Sequence, residues 1–316
     1  MKSLVTACAM GVVVSLAGQP QQFRASTETV EVHATVKLKN GTIAHDLTRD
    51  DFILLEDGKP REITVFSKSI QPLSVALVLD HSGSTQSEFQ NVRMAAQEFI
   101  GHLLFGDRAS IGTLNWDCQP LTTDSRALLS VLARDPPPDW GSPVWAATDR
   151  AMTSLASESS RRVILLFSDG ADNQAPPTDQ PPWGAPLETP TAGMLSPCQY
   201  VAPGPLRTIG NVVTRAESDA VMVYTVSVDS PFSDNGGAGY LSRLAKQSGA
   251  SYQRLGEYSE LKSAFRSIGD ELHLQYLLGF VPTAFDGKRH EIEVKSKRSG
   301  VTVQARKGYV ASKSEK

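Results

Sequence analysis

Asp80, Ser82 and Ser84 stand two apart directly after the apolar run Leu77-Val78-Leu79. A carboxylate and two hydroxyls at that spacing offer hard oxygen ligands, which suit Mg2+, Mn2+ or Ca2+ and not zinc. The apolar run ends abruptly in this polar stretch, and the residues after it, up to about Phe105, have helical periodicity, so the chemistry sits at a junction of strand, turn and helix. In an open α/β sheet, ligands bind outside the carboxyl ends of the parallel strands, where such a junction places its side chains. A plainer reading of Ser82 and Ser84 is that they only cap the following helix. His81, alternating with Asp80 and Ser82, should point away from any ion that those two hold.

To place such a site, the chain needs a sheet, and the sequence supplies one. From Ser74 strands alternate with helices, the pattern of a mostly parallel sheet covered on both faces. The strand Ser74 to Asp80 leads into a helix over Gln86 to Phe105, then a strand from Ala109 to Asn115, a hairpin partner from Gln119 to Thr122 and a helix from Ser125 to Ala133. Gly141-Ser142-Pro143 opens another helix that runs to Leu155, and Arg162 to Ser168 is a buried strand ending in Asp169-Gly170. Gly170 to about Pro205 is a proline-rich loop far longer than the usual ~4–6 residues, and such loops are either functional or disordered. A helix over Leu206 to Glu217, a strand over Ala220 to Val228, a turn at Asn235-Gly236-Gly237, a helix over Gly239 to Gln247, a strand near Ser251 to Arg254 and a helix over Ser259 to Leu272 complete this part.

On either side the rhythm is β. Thr29 to Leu38 alternates as a half-buried strand, Asn40-Gly41 and Asp57-Gly58 are turns, and Phe52 to Glu56 and Glu62 to Lys68 are short strands. After the helices come strands over Gln275 to Val281, Lys288 to Lys297 and Val301 to Val310. Isolated hairpins are marginal in water, so the simplest plan pairs the two flanks into one small β domain with the α/β part inserted between its halves. The fold class is then α/β, with a Rossmann-like, doubly wound, mostly parallel sheet so inserted. The expected limits are 26–71 and 273–312 for the β halves and 72–272 for the α/β domain.

Lys2, the apolar stretch Leu4 to Leu16 and the small residues Ala17 and Gly18 fit a signal peptide over 1–18, pointing to export to a periplasm, cell surface or medium. The stretch is shorter than the ~20 residues that span a bilayer, and no other segment qualifies, so no membrane span is expected after its removal. A net charge of −3 over 316 residues gives no global field for nucleic acid. Of the 3 cysteines, Cys8 leaves with the signal, while Cys118 and Cys198 remain, an even number in an oxidising compartment. They form a disulfide or stay as two isolated thiols. Both should emerge on the face that carries Asp80, where a bridge would tether the long loop.

The three segments Asp80-x-Ser82-x-Ser84, Gly141-Ser142-Pro143-Val144-Trp145 and Asp169-Gly170 resemble the von Willebrand factor type A domain over about Pro72 to Leu272. In that family they form the metal-ion-dependent adhesion site, which implies a ligand set of Asp80, Ser82, Ser84, Ser142 and Asp169. Family members usually carry threonine where this chain has Ser142, and a glycine pair where it has Trp140-Gly141; serine keeps the hydroxyl. The flanks, Leu47-Thr48-Arg49-Asp50-Asp51-Phe52, Gln275-Tyr276-Leu277-Leu278-Gly279-Phe280 and Ala305-Arg306-Lys307-Gly308-Tyr309, are similar to secreted acidobacterial-type VWFA-related proteins.

On this ligand set two carboxylates against one dication leave the site near neutral, and an octahedral ion such as Mg2+ keeps waters, one of which a partner's carboxylate can replace. The implied function is a non-enzymatic, exported module that uses a divalent cation, Mg2+ or else Mn2+ or Ca2+, to bind an acidic group of a protein partner. Asp139 and Asp172 are read as solvated loop carboxylates, Trp116, Trp140 and Trp183 as an apolar rim, and Trp145 as core. A metal-assisted hydrolase is the enzymatic alternative, but the chain has no Gly-x-Ser-x-Gly elbow, no His-Glu-x-x-His pair and no phosphate loop ending in Lys. A metal-independent structural component of the cell envelope is the third reading.

Overall fold

A computed structural model describes residues 29–134, 136–139, 141–172, 198–201, 207–229 and 235–313. The expected signal peptide, most of the 170–205 loop, Trp140 and Trp183 lie outside the described residues. The fold class is as expected: an α/β unit stands between two stretches of chain that together build a β-sandwich.

The sandwich opens with β1 (Val30–Leu38), β2 (Phe52–Glu56), β3 (Lys59–Arg61) and β4 (Val65–Ser67). The α/β unit follows with β5 (Leu73–Leu79), α1 (Phe89–Gly101), β6 (Arg108–Thr113), β7 (Trp116–Thr122), α2 (Ser125–Ala133), α3 (Val144–Leu155), β8 (Arg161–Phe167), β9 (Gln199–Tyr200), α4 (Ile209–Ser218), β10 (Met222–Val228), α5 (Asn235–Ser248), β11 (Tyr252–Leu255) and α6 (Leu261–His273). The chain returns to the sandwich through β12 (Tyr276–Phe280), β13 (Arg289–Ser296), β14 (Val301–Ala305) and β15 (Gly308–Val310).

The central sheet has the order β11-β10-β8-β5-β6-β7-β9. Its inner strands are parallel, and at one edge β7 runs antiparallel between β6 and the short β9. All residues of β5 and β10 are buried, because helices cover both faces, so these strands read as continuous apolar runs without alternation. On one face α1, α2 and α6 contribute Phe89, Phe99, Leu128, Phe265 and Ile268 to the core; on the other α3, α4 and α5 contribute Trp145, Met152, Val212 and Leu244.

Strand β1 lies between β12 and β14, both from the far end of the chain, and β2 pairs with β13. Neither half could close a sheet alone. Val32, Ala34 and Val36, with their neighbours Tyr276 and Leu278 on the same sheet, face Leu54 and Ile292 across the sandwich core. The other face of β1 turns to the α/β unit: the Thr35 hydroxyl donates to Glu271 Oε1 at 3.2 Å, and Lys37 Nζ is 2.6 Å from Glu271 Oε2. Gly249 lets the two units meet, since a Cβ there would lie 2.3 Å from the backbone nitrogen of Arg306.

Four expectations are corrected. The strand expected over Val301 to Val310 is two, β14 in one sheet and β15 in the other, because the chain crosses the sandwich at Arg306-Lys307. The helix expected to Phe105 ends at Gly101, and Leu104 to Asp107 turn instead, with the Asp107 carboxylate accepting from Leu104 N at 2.8 Å. The strand expected over Glu62 to Lys68 narrows to β4, as Lys59-Pro60-Arg61 has already paired with β2. Asn235-Gly236-Gly237 is the first turn of α5, not a turn before it.

Candidate metal site at the upper edge of the sheet

The carboxyl ends of β5, β6 and β8 lie side by side, so the segments after them share one edge of the sheet. After β5, the chain is locked by its own backbone and by Thr85, whose hydroxyl donates to Asp80 O at 2.8 Å and to Ser82 O at 3.1 Å. Asp80 is fully buried; Oδ1 accepts from Ser82 N at 3.0 Å and Oδ2 from the Ser168 hydroxyl at 2.6 Å. Ser84 Oγ donates to Asp169 Oδ2 at 2.7 Å and lies 3.4 Å from Ser82 Oγ. The other Asp169 oxygen accepts from Ala171 N at 3.0 Å. Ser84 is therefore spent on the second loop, and the short 3-10 turn Gln86–Glu88 before α1 has Thr85 at its cap, without a side-chain bond. The helix-cap reading of the two serines does not hold.

The third loop arrives through Asp139, which is not the solvated carboxylate expected. It is buried and accepts from His81 N (2.9 Å), Leu114 N (3.1 Å), Asn115 N (2.8 Å) and the Thr113 hydroxyl (2.6 Å), while its own amide donates to His81 O at 2.9 Å. One side chain so ties the ends of β5 and β6 to the loop that carries Ser142. Ser142 is buried, two residues before the start of α3, and Trp145 N donates to Asp172 Oδ1 at 3.4 Å, joining this loop to the one after β8. His81 turns away from the carboxylates, its ring stacked on Phe89 with centroids 3.5 Å apart.

The electrostatics are one-sided. Burial pushes Asp80 up to about 7, against the pull of bonds from Ser168 and Ser82, with Asp139 and Asp169 adding repulsion. Asp139 is also raised, chiefly by burial. Tyr258, whose ring meets Phe167 edge-on at 6.2 Å, is raised to about 12 by burial and by the nearby charges of Asp169 and Asp80. Among the described residues no three His, Cys, Asp or Glu side chains gather as a metal cluster; the oxygens brought together are the Asp169 carboxylate and the Ser82 and Ser84 hydroxyls, with the Asp80 carboxylate bonded to the Ser82 amide and Ser142 buried in the adjoining loop. That donor set fits a hard dication, which would relieve the buried, mutually repelling carboxylates.

Sequence reasoning missed Ser168, Thr85 and Gly237. Ser168 follows β8 directly and was legible only as the strand's last residue. Gly237 matters by lacking a side chain: a Cβ on it would lie 2.6 Å from Gly170 C and 2.8 Å from Asp169 O, so glycine alone lets α5 start against the Asp169 loop. Trp145 is core, as expected, and Trp116 stands half-buried at the edge against Tyr200, with centroids 5.4 Å apart. Cys118 and Cys198 form a disulfide, and Val201 N donates to Asn115 O at 2.8 Å, so the far end of the long loop is fastened beside the site's edge of the sheet.

The strand order, with helices on both faces and three loops meeting beyond the carboxyl ends of β5, β6 and β8, is that of a doubly wound α/β unit. No protein-family model matches the chain, and no curated protein sequence does either. Among solved structures it is similar to a von Willebrand factor type A protein from Catenulispora acidiphila, at 11% identity and a TM-score of 0.48 over 92% of this chain and 76% of that one. It is similar to the von Willebrand factor domain of the type V pili tip protein Mfa5 from Porphyromonas gingivalis, at 15% identity and 0.45 over 64% and 95%. It is also similar to proximal thread matrix protein 1 from the mussel byssus, at 10% identity and 0.49 over 75% of this chain, and spans half the length of that one.

Proposed function

We propose that the chain is an exported, non-enzymatic binding module that holds a divalent cation at Asp80, Ser82, Ser84, Ser142 and Asp169 and uses it to bind an acidic group of a protein partner. The observation that carries this reading is the convergence of three sequence-distant loops on one edge, with Ser84 bonded to Asp169 across 85 residues and Asp139 fixing the Ser142 loop to His81. Asp80 and Asp169 would supply the charge, and the three serines neutral oxygens. A bound dication, Mg2+ or else Mn2+ or Ca2+, would supply a Lewis-acidic position for a carboxylate oxygen of the partner.

The disulfide supports export, since such bonds persist in oxidising compartments. Among the described residues no helix is long and apolar enough to cross a membrane. We place the α/β module at 72–272 within β halves at 26–71 and 273–312, and read the flanks as those of acidobacterial-type VWFA-related proteins.

Capture of protein from an envelope extract, run with Mg2+ and again with chelator, tests the function. Chelator and Asp80→Ala should each abolish capture, with circular dichroism of the variant unchanged. Capture that persists in chelator would overturn the reading in favour of a metal-independent structural role.

A further inference from the structure

His33 belongs to the face of β1 that turns from the sandwich core to the α/β unit. In the ladder with β14, Ala34 pairs with Ala305, so the next step sets His33 against Arg306. Arg161, at the start of β8, brings a second guanidinium close enough for both arginines to act on the imidazole: burial and these two charges lower His33 to about 3. Arg161 and Arg306 are themselves lowered to about 10 by burial.

Among the described residues none of the three makes a contact ion pair with a carboxylate, though Glu31 and Glu217 act on Arg306 and Asp107 on Arg161 from farther away. Arg306 Nη2 donates to the backbone oxygen of Glu31 at 2.5 Å; Arg161 donates to Gln275 Oε1 at 2.8 Å and to Leu272 O. Of the carboxylates nearby, Glu217 is committed to Arg289 through two bonds of 2.7 Å and Glu271 to Lys37 at 2.6 Å, while the exposed Glu31 acts on Arg306 from the rim of the cavity. His33 Nδ1, Arg306 Nε and Arg161 Nε are buried without a hydrogen-bond partner. The arginine side chains are half-buried, but their Nε atoms are fully enclosed, and a buried N–H without an acceptor is costly.

Beside His33 and Arg306 is a cavity of about 30 Å³, also lined by Glu31, Met222 and Ser248. It exceeds the ~10–15 Å³ that one water needs, and is too small for a bulky organic anion. Glu31 and Arg306 also line an outer groove of about 380 Å³.

We propose that this cavity binds a small monovalent anion of the size of chloride, accepting from Arg306 Nε and from His33 Nδ1–H, and so clasps β1 and β14 of the sandwich to β10 and α4 of the α/β unit. The site lies at the junction of the two units, in the turn Arg306-Lys307 that separates β14 from β15. It owes nothing to the metal reading, and holds whether or not Asp80 binds a cation.

Crystals of the full chain grown without halide and soaked in sodium bromide test it directly. An anomalous peak between His33 and Arg306 is expected, together with a saturable rise in Tm of about 3 °C in potassium chloride over potassium gluconate at equal ionic strength. Arg306→Met should remove both; if that variant does not fold, His33→Gln should weaken both. Ordered water with no anomalous peak in the wild type would overturn the proposal, and so would a peak that survives Arg306→Met.

Discussion

At the junction of the two units Glu271 is 1% exposed, and its oxygens receive the hydroxyls of Thr35, Tyr224 and Ser251 and the ammonium of Lys37. At the upper edge of the sheet Asp80 is 0% exposed and receives only an amide and a hydroxyl, with Asp139 and Asp169 close by. Both carboxylates are buried, so both have lost their hydration. Glu271 is compensated within the chain, by a cation from β1, and its network joins sandwich to sheet. Asp80 has neutral donors and like-charged neighbours. The difference between one buried carboxylate so fully balanced and another left beside two of its kind is what the proposed cation site would resolve.

The comparison is broken most severely at Glu271. Glu271→Ala leaves three buried hydroxyls and the half-buried Lys37 without their acceptor and should cost about 3 kcal/mol in denaturant unfolding, with Mg2+ affinity of the folded fraction unchanged. Asp139→Ala tests the other region: the loops after β5 and β6 and the Ser142 loop lose their common anchor, and the apparent Kd for Mg2+ by calorimetry should rise about 10–100-fold, as for other residues that orient ligands without touching the ion.

A further effect is read from pH. His33 titrates near 6.5 in the unfolded chain and about 3 in the folded one, so the unfolded state binds the extra proton between those values. Its contribution is whole above pH 6.5 and drains as pH falls through that window, by at most about 1.4 kcal/mol per unit before solvent screening. Asp80, raised to about 7, works in the opposite sense: its contribution is present below its ordinary value of 3.8 and is lost as pH rises through 7. Melting of the wild type against His33→Gln between pH 6.5 and 4 isolates the histidine; the wild type should lose more stability on acidification.

Much of this molecule was legible as pattern. The apolar runs of β5, β8 and β10 announce a parallel sheet, and Asp57-Gly58 announces a hairpin, with φ values of 49° and 75° that suit a type I′ turn. Asp80, Ser82, Ser84 and Asp169 were visible because each follows an apolar strand abruptly. Asp139 was not: a carboxylate after Pro136-Pro137-Pro138 reads as a solvated loop, and only the packing of β6 beside β5 brings three amides and a hydroxyl to meet it. Gly237 was misread for the same reason, since nothing local says that a helix start must press against Asp169.

By itself the sequence determined most of the long strands and helices and which oxygens stand at strand ends, because hydrophobic period and turn chemistry act over a few residues. Only the tertiary structure decided which charges are balanced. Whether a buried carboxylate meets Lys37 or another carboxylate, and whether His33 faces one guanidinium or two, depends on strands far apart in the chain, and at short range in a dry interior those meetings outweigh any local preference.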